Sequence, residues 1–402
     1  MPQPLPSNPF AKHTPEWDAY NSCLHLEALT SWSVDDLNAR IADPSLEGLM
    51  LAIPPQVAGR TLGYALFYAP SDTGRACVAE EIVACTGDLD TLASLAHLYI
   101  FGLIRIFRNP KGATPTLSAD QTPDPCFLWM QGHRDSLILP GDRPPSLKKK
   151  ARHSLLLRDQ YRCVFTGHID RSSFDKAEQN PSVFPELAPF FVPDAPAVSG
   201  ESLHNLDIAH IISQSLTDRI GGISKAAIGK LNWACSVSAI LDRFSGIQIQ
   251  ELLGGTDLHS ASNGFMASHH PHTLFNRLDF CLIPAKDAQD QIITNVYDVD
   301  YLYRRRDTTI RERVIFSERN LNGEIIPPPS PILLGLHAAS ARVAHMSGAA
   351  AVLGKFDGDP DTPTSRVLTQ GLSMQPDPIA MHELNQALLK LGVVHKIPVH
   401  RD

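Results

Sequence analysis

Apolar residues recur at helical spacing in several stretches of the chain. From Asp88 onward, Leu92, Leu95, Ala96, Tyr99, Leu103 and Phe107 follow the three- and four-residue steps of one helix face, which predicts a long helix opened by Asp88. A second helical pattern, Ala226, Ala227, Leu231, Trp233, Ile240, Leu241 and Phe244, lies within Ser224 to Leu252, and a third runs from Ile332 to about Leu353. Ser33-Val34-Asp35-Asp36 reads as a helix start with Ser33 as the cap. The nearly continuous apolar run from Leu62 to Tyr68 predicts a buried strand, and Arg313 to Phe316 a further one. Between these elements, Asn109–Pro125, Asn180–Glu201 and Pro327–Pro331 are Pro-rich and lack periodicity, so they read as loops, and Phe356–Pro378 reads as a loosely ordered polar tail.

Composition narrows the picture. A chain of 402 residues, 43% of them hydrophobic, is globular. At about 100–200 residues per domain it holds two or three domains, or one large domain with insertions. The formal net charge of −8 excludes a protein that binds nucleic acid through uniform basic charge, so any such contact is local. Two local basic runs exist. Arg143, Lys148, Lys149, Lys150, Arg152, Arg158 and Arg162 face only Asp159, while Arg304, Arg305, Arg306, Arg311 and Arg313 are interrupted by Asp307 and Glu312. Each reads either as a solvated face or as a phosphate-binding surface. The 7 cysteines are widely spaced and include no CxxC pair, which favours reduced thiols over a disulfide framework and excludes a zinc ribbon. The Pro-rich start lacks the pattern of a signal peptide, and the apolar stretch Thr91–Ile104 is too short to span a bilayer. The expectation is a cytoplasmic or nuclear protein, not secreted and without a membrane partner.

Three fragments hold residues suited to chemistry: Arg158-Asp-Gln-Tyr-Arg-Cys-Val-Phe-Thr-Gly167, Leu206-Asp-Ile-Ala-His-Ile-Ile212, and Asn263-Gly-Phe-Met-Ala-Ser-His-His-Pro-His-Thr-Leu-Phe-Asn276. The second is a short apolar strand interrupted by Asp207 and His210. In the third, Asn263 stands ahead of a glycine as at a turn, and His272 and Asn276 are four apart, so on a helix they share a face and suit one ion. An imidazole that titrates near neutrality accepts a proton from water, a helical ligand pair holds a divalent ion against a phosphate, and an Asn amide pins the histidine loop. An imidazole on an apolar strand is commonly a packed core residue, and the Asn263 and His272 fragments are what turn His210 toward chemistry. His269 and His270 read as loop histidines, and Cys163 as a packed thiol beside a turn.

The order Cys163-x-x-Thr166-Gly167, Ala209-His210-Ile211, Asn263, then His272-x-x-Phe275-Asn276, with Phe280-Cys-Leu282 and Asn295-Val-Tyr297 after it, resembles the HNH nuclease family, in particular the large HNH-domain proteins abundant in fungi. The resemblance covers roughly 145–303. It implies an α+β protein built on a ββα-metal core, with one strand bearing His210, a second strand, and a helix bearing His272. It further implies His210 as general base, Asn263 as the residue that orients it, and His272 with Asn276 at a divalent ion, Mg or Mn first and Ni or Zn as alternatives. The chain departs from the family at Ala209, where the family commonly has an Asp or His ligand. Asp207 is the nearest carboxylate, on the strand face of Ala209 opposite His210, and is the candidate metal ligand in place of the missing one, the alternative being that it contacts only solvent or a neighbouring ligand.

The expected organisation is a flexible leader (1–15), an N-terminal α/β scaffold (16–108), a linker (109–142), the HNH-like domain with helical and loop insertions (143–318), and a helical C-terminal region with a partly disordered tail (319–402). The expected function is metal-dependent hydrolysis of nucleic acid, DNA ahead of RNA, with Lys148, Lys149, Lys150, Arg152, Arg304 and Arg305 on phosphates. The alternatives are a repurposed HNH-fold enzyme acting on a small molecule, as in fungal specialised metabolism, and a noncatalytic binding protein.

Overall fold

The computed structural model describes residues 2–32, 53–108, 145–193, 195, 198–213, 240–249, 258, 260–303, 306–321 and 323–356. The helix start at Ser33, the linker 109–142, residues 224–239 of the insertion and the tail beyond 356 lie outside them. The protein is α+β, and the chain divides into two compact units. The first comprises Met1–Gly141, Ser215–Thr256 and Ala339–Asp402, and the second Asp142–Gln214 and Asp257–Ala338.

In the described residues the first unit is helical. Helix α1 is Pro15–Ala28, α2 Pro55–Tyr68, α3 Asp72–Ala84 and α4 Leu89–Leu98, which continues through a π-helical stretch, Tyr99–Ile104, into Arg105–Phe107. Asp88 caps α4 as expected, its carboxylate accepting from the Thr91 N–H at 3.1 Å. The run Leu62–Tyr68, expected as a strand, is instead the C-terminal half of α2. A short apolar run fits a buried strand and a buried helix equally well. Here Pro55 starts a helix, and Gly59 lets α2 lie directly on α1, since a Cβ at 59 would stand 2.6 Å from the Glu27 nitrogen and 2.7 Å from the Cys23 oxygen.

The first residues, expected as a flexible leader, are tied down. Leu5 is buried, its N–H donates to the Glu27 carboxylate at 3.1 Å, and the Tyr64 and Tyr20 hydroxyls donate to the carbonyls of Pro4 and Pro6 at 2.8 and 3.2 Å. Leu5 fills the space that Gly63 leaves without a side chain.

The second unit is built from short pieces. Its elements are α5 Pro145–Arg158, β1 Ile169–Asp170, α6 Arg171–Gln179, β2 Leu203–His204, β3 Leu206–His210, β4 Gly264–Ser268, α7 His269–Asn276, β5 Phe280–Lys286, β6 Ile292–Tyr301, β7 Arg313–Ile315, β8 Arg319–Leu321, β9 Glu324–Ile326 and α8 Pro331–Ser347. The division between the units falls inside α8, and Ala349–Phe356 (α9) belongs to the first. Strands pair as β1–β2 parallel and β3–β4, β5–β6–β7 and β8–β9 antiparallel. An aromatic cluster of Phe165, Phe265, Phe275 and Phe280, with centroids 5.0–6.2 Å apart, forms the core beneath β4, α7 and β5.

Candidate functional site

Strands β3 and β4 pair so that His210 stands across from Gly264, Ala209 from Phe265 and Asp207 from Ala267. Strand alternation puts Asp207, Ala209, Phe265 and Ala267 on one face, and Ile208 and His210 on the other. Phe265 packs on Phe275 of α7 at 5.2 Å, so the face with Ala209 is the one this helix covers. His210 closes β3 half-buried, and Asp207 is exposed. The β3 side chains on the face toward the helix of His272 are therefore the buried Ala209, which offers an ion no donor, and the exposed Asp207.

Asn263 is fully buried, and its amide is spent on the backbone just beyond His210. Its Oδ1 accepts from the Ile212 N–H at 2.9 Å, and its Nδ2 donates to the Ile212 and Leu258 carbonyls at 3.1 and 2.9 Å. Its own carbonyl accepts from the Ile211 N–H at 2.9 Å. The residues that follow His210 are thus fixed to the entry of β4.

Helix α7 buries Pro271 and Phe275 and leaves His272 and Asn276 half-buried on an adjoining face. His269 and His270, expected in a loop, form its exposed first turn, where a following proline is tolerated. His270 pairs with Asp307, whose carboxyl is held down at about 2, first by the Thr309 hydroxyl and then by His270.

Sequence reasoning missed His337. Its ring stacks on Phe275 at 3.8 Å and 1°, and Nε2 lies 3.3 Å from the Phe275 carbonyl. Burial pushes its pKa down to about 3, so the ring is neutral and Nε2–H is the donor. His337 thereby holds the last turn of α7, between His272 and Asn276. The only sequence signal was a histidine on the apolar face of α8.

The basic run at α5 divides into two kinds of residue. Lys149 and Lys150 are exposed, while the side chain of Lys148 lies outside the described residues. Arg152, expected on phosphate, donates to Asp170 at 2.9 Å and to the Leu206 carbonyl at 3.1 Å, because the buried Asp170 carboxylate needs a counter-charge. Arg158 is buried against Asp159 and donates to the carbonyls of Ala261, Pro327 and Gly264 at 2.7, 3.0 and 2.8 Å. Asp159 in turn accepts from the Met266 N–H at 2.7 Å. Gln160 and Tyr161 then take positive φ, 55° and 57°, turning the chain sharply after this pair. Arg304 and Arg305 lie outside the described residues.

His272 and Asn276 stand four apart in α7 and so share one helix face. Among the described residues, no group of three or more His, Cys, Asp or Glu side chains converges as a metal site. No described helix is long and apolar enough to cross a membrane. Comparison of the chain with protein-family models, with curated proteins and with solved structures finds no match.

Proposed function

We propose that the second unit hydrolyses phosphodiester bonds of nucleic acid, DNA ahead of RNA, in the manner of an HNH nuclease. The observation that supports this reading is the succession of β3, β4 and α7, packed on one another, bearing His210, Asn263 and the His272–Asn276 pair in the order the chemistry requires. His210 takes a proton from the attacking water as general base. Asn263 is its positioning residue, acting through the backbone of Ile211 and Ile212 rather than on the imidazole itself. His272 and Asn276 would hold a divalent ion, Mg or Mn before Ni or Zn. When bound, such an ion neutralises charge on the phosphate and the leaving oxygen. Because Ala209 adds no donor, the site leans on substrate phosphate and water to complete the shell.

The test is nicking of supercoiled plasmid under Mg, Mn, Ni or Zn, beside calorimetric metal titration. His210→Ala should abolish nicking and leave metal affinity unchanged, while His272→Ala should weaken metal binding. Equal nicking by the wild type and His210→Ala would overturn the reading. Ala209 favours a second reading, a scaffold of this type turned to a small molecule or to binding alone. Ala209→Asp separates the two: tighter Mn binding with faster nicking supports the nuclease, and tighter binding without nicking supports the repurposed scaffold.

A further inference from the structure

Among the described residues, four of the six arginines in the two basic runs are paired with carboxylates, two of them at the surface. Arg152 pairs with Asp170, Arg158 with Asp159, Arg306 with Glu312 at 3.4 Å and Arg313 with Asp298 at 2.6 Å. Among the described residues, Arg162 from the first run and Arg311 from the second have no carboxylate partner. These two stand together at Gly167. Arg162 donates through Nη1 to the Gly167 carbonyl at 3.0 Å, with its guanidinium 5.4 Å above the Phe190 ring. Arg311 is anchored by its own N–H on the Phe165 carbonyl at 2.9 Å, and its Nη2 lies only 2.2 Å from where a Cβ at position 167 would be. Gly167 has a φ of +78°, so glycine is needed here both for the turn and to admit the second guanidinium.

We infer that Arg162 and Arg311 form an oxyanion clamp at the Cys163–Gly167 turn, and that its ligand is a phosphate group of the nucleic-acid backbone. Two guanidiniums drawn to one point repel each other, and an oxyanion between them converts that repulsion into paired, forked hydrogen bonds. Burial and the neighbouring Arg311 both push the Arg162 pKa down, as expected when no carboxylate offsets the second cation. The clamp is rigidly mounted, because Phe165 in the same turn packs on Phe265 of β4 and Phe275 of α7. That places a phosphate contact on the same aromatic core that underlies β4 and α7. The identity of the ligand rests on the proposed function, whereas the anion site itself does not.

The experiment uses the full chain and two probes at constant ionic strength: inorganic phosphate followed by calorimetry, and a duplex DNA oligonucleotide followed across a salt series. Arg311→Gln should weaken phosphate binding about tenfold or more, and should reduce the slope of log affinity for DNA against log salt by about one unit. Arg311→Lys should fall between, since it keeps the charge and loses the fork. Arg306→Gln, which removes an arginine already paired, should change neither reading. Arg311 is exposed, and an unchanged thermal melt shows that its variants fold. Loss of phosphate binding with an unchanged DNA slope would support the clamp and remove nucleic acid as its ligand, whether or not plasmid is nicked. An adventitious, non-saturating response to phosphate that is equal in the wild type and Arg311→Gln would overturn the clamp.

Discussion

The two units meet the same requirement, that buried backbone polar groups find partners, by opposite means. Helices α1 to α4 of the first satisfy their own backbones, so that unit can close on apolar surface and on small residues such as Gly59 and Ala58. The strands of the second are short, β1 and β2 having two residues each and β3 and β4 five, and much of its backbone lies outside any ladder. Buried or half-buried polar side chains supply the missing partners. Arg158 serves three carbonyls, Asp159 an N–H, Asn263 three groups and Arg152 one. Backbone held in this way need not follow helix or sheet geometry, as at Ile211 and Ile212 after β3 and at the Gln160–Tyr161 turn.

The comparison breaks most visibly at Arg158. In Arg158→Ala, three carbonyls lose a donor and the buried Asp159 loses its counter-charge, a situation that costs about 3–5 kcal/mol. Burial already raises the Asp159 pKa against the pull of Arg158, so the variant should recover part of its stability as the carboxyl protonates in mild acid. The counterpart in the first unit is Arg243, which pairs with Glu81 while Glu81 accepts from Tyr99 at 2.5 Å. Arg243 keeps 19% of its side-chain surface exposed, so Arg243→Ala should cost less. Hydrogen exchange followed segment by segment is the appropriate measurement, because two units need not unfold together. Equal loss of protection in both variants would erase the distinction.

A pH titration comes next in size. The His337 pKa stands at about 3 in the fold against 6.5 for a free imidazole. As pH falls below 6.5 the unfolded chain takes up this proton and the folded chain does not, so the associated stability is complete above 6.5 and is lost as pH falls toward 3. At about 1.4 kcal/mol per pH unit, pH 4.5 should cost about 2–3 kcal/mol. His337→Phe, which keeps a ring against Phe275, should flatten this slope, and an unchanged slope would refute the buried neutral state. His97 in the first unit has its pKa lowered to about 4, again by burial, so the total stability lost on acidification should be smaller there.

These sites show what a sequence can and cannot display. The helix opened by Asp88 was legible because its cap and apolar face are local, but the π-helical stretch Tyr99–Ile104 was not. There, Ile240 from a distant segment packs where a Cβ on Gly102 would be, at 2.5 Å. The chain order of strand, turn and helix around His210, Asn263 and His272 was legible for the same local reason. His337 was not, because its partner lies 62 residues away. The basic run at α5 looked like one surface because Asp159 and Asp170, which draw Arg158 and Arg152 inward, read in sequence like any exposed carboxylates.

Glycine substitutions should sharpen the contrast at a smaller scale. Gly59→Ala forces a methyl group onto α1 backbone atoms that cannot swing aside, so it should destabilise the first unit by about 1–3 kcal/mol. Gly335→Ala, in the second unit's part of α8, meets nothing within 4 Å and should gain about 0.5–1 kcal/mol through a stiffer unfolded chain. Calorimetric melting of both variants checks the pair, and a neutral Gly59→Ala would mean that α1 and α2 are not in close backbone contact.

The smallest expected effect tests whether the contrast concerns burial rather than charge. Each unit has an exposed ion pair, Arg75–Asp72 at 2.7 Å in the first and Lys286–Asp290 at 2.8 Å in the second. Water screens both, and holding a long side chain in one rotamer offsets much of the attraction, so such pairs contribute about 0–1 kcal/mol. Arg75→Ala and Lys286→Ala should therefore shift stability by about 0.5 kcal/mol or less, by the same amount in each unit, and the shift should vanish in high salt. If Lys286→Ala cost several times more than Arg75→Ala, the second unit would depend on its surface charges too. Burial would then not be what separates a unit closed by apolar contact from one held by buried polar side chains.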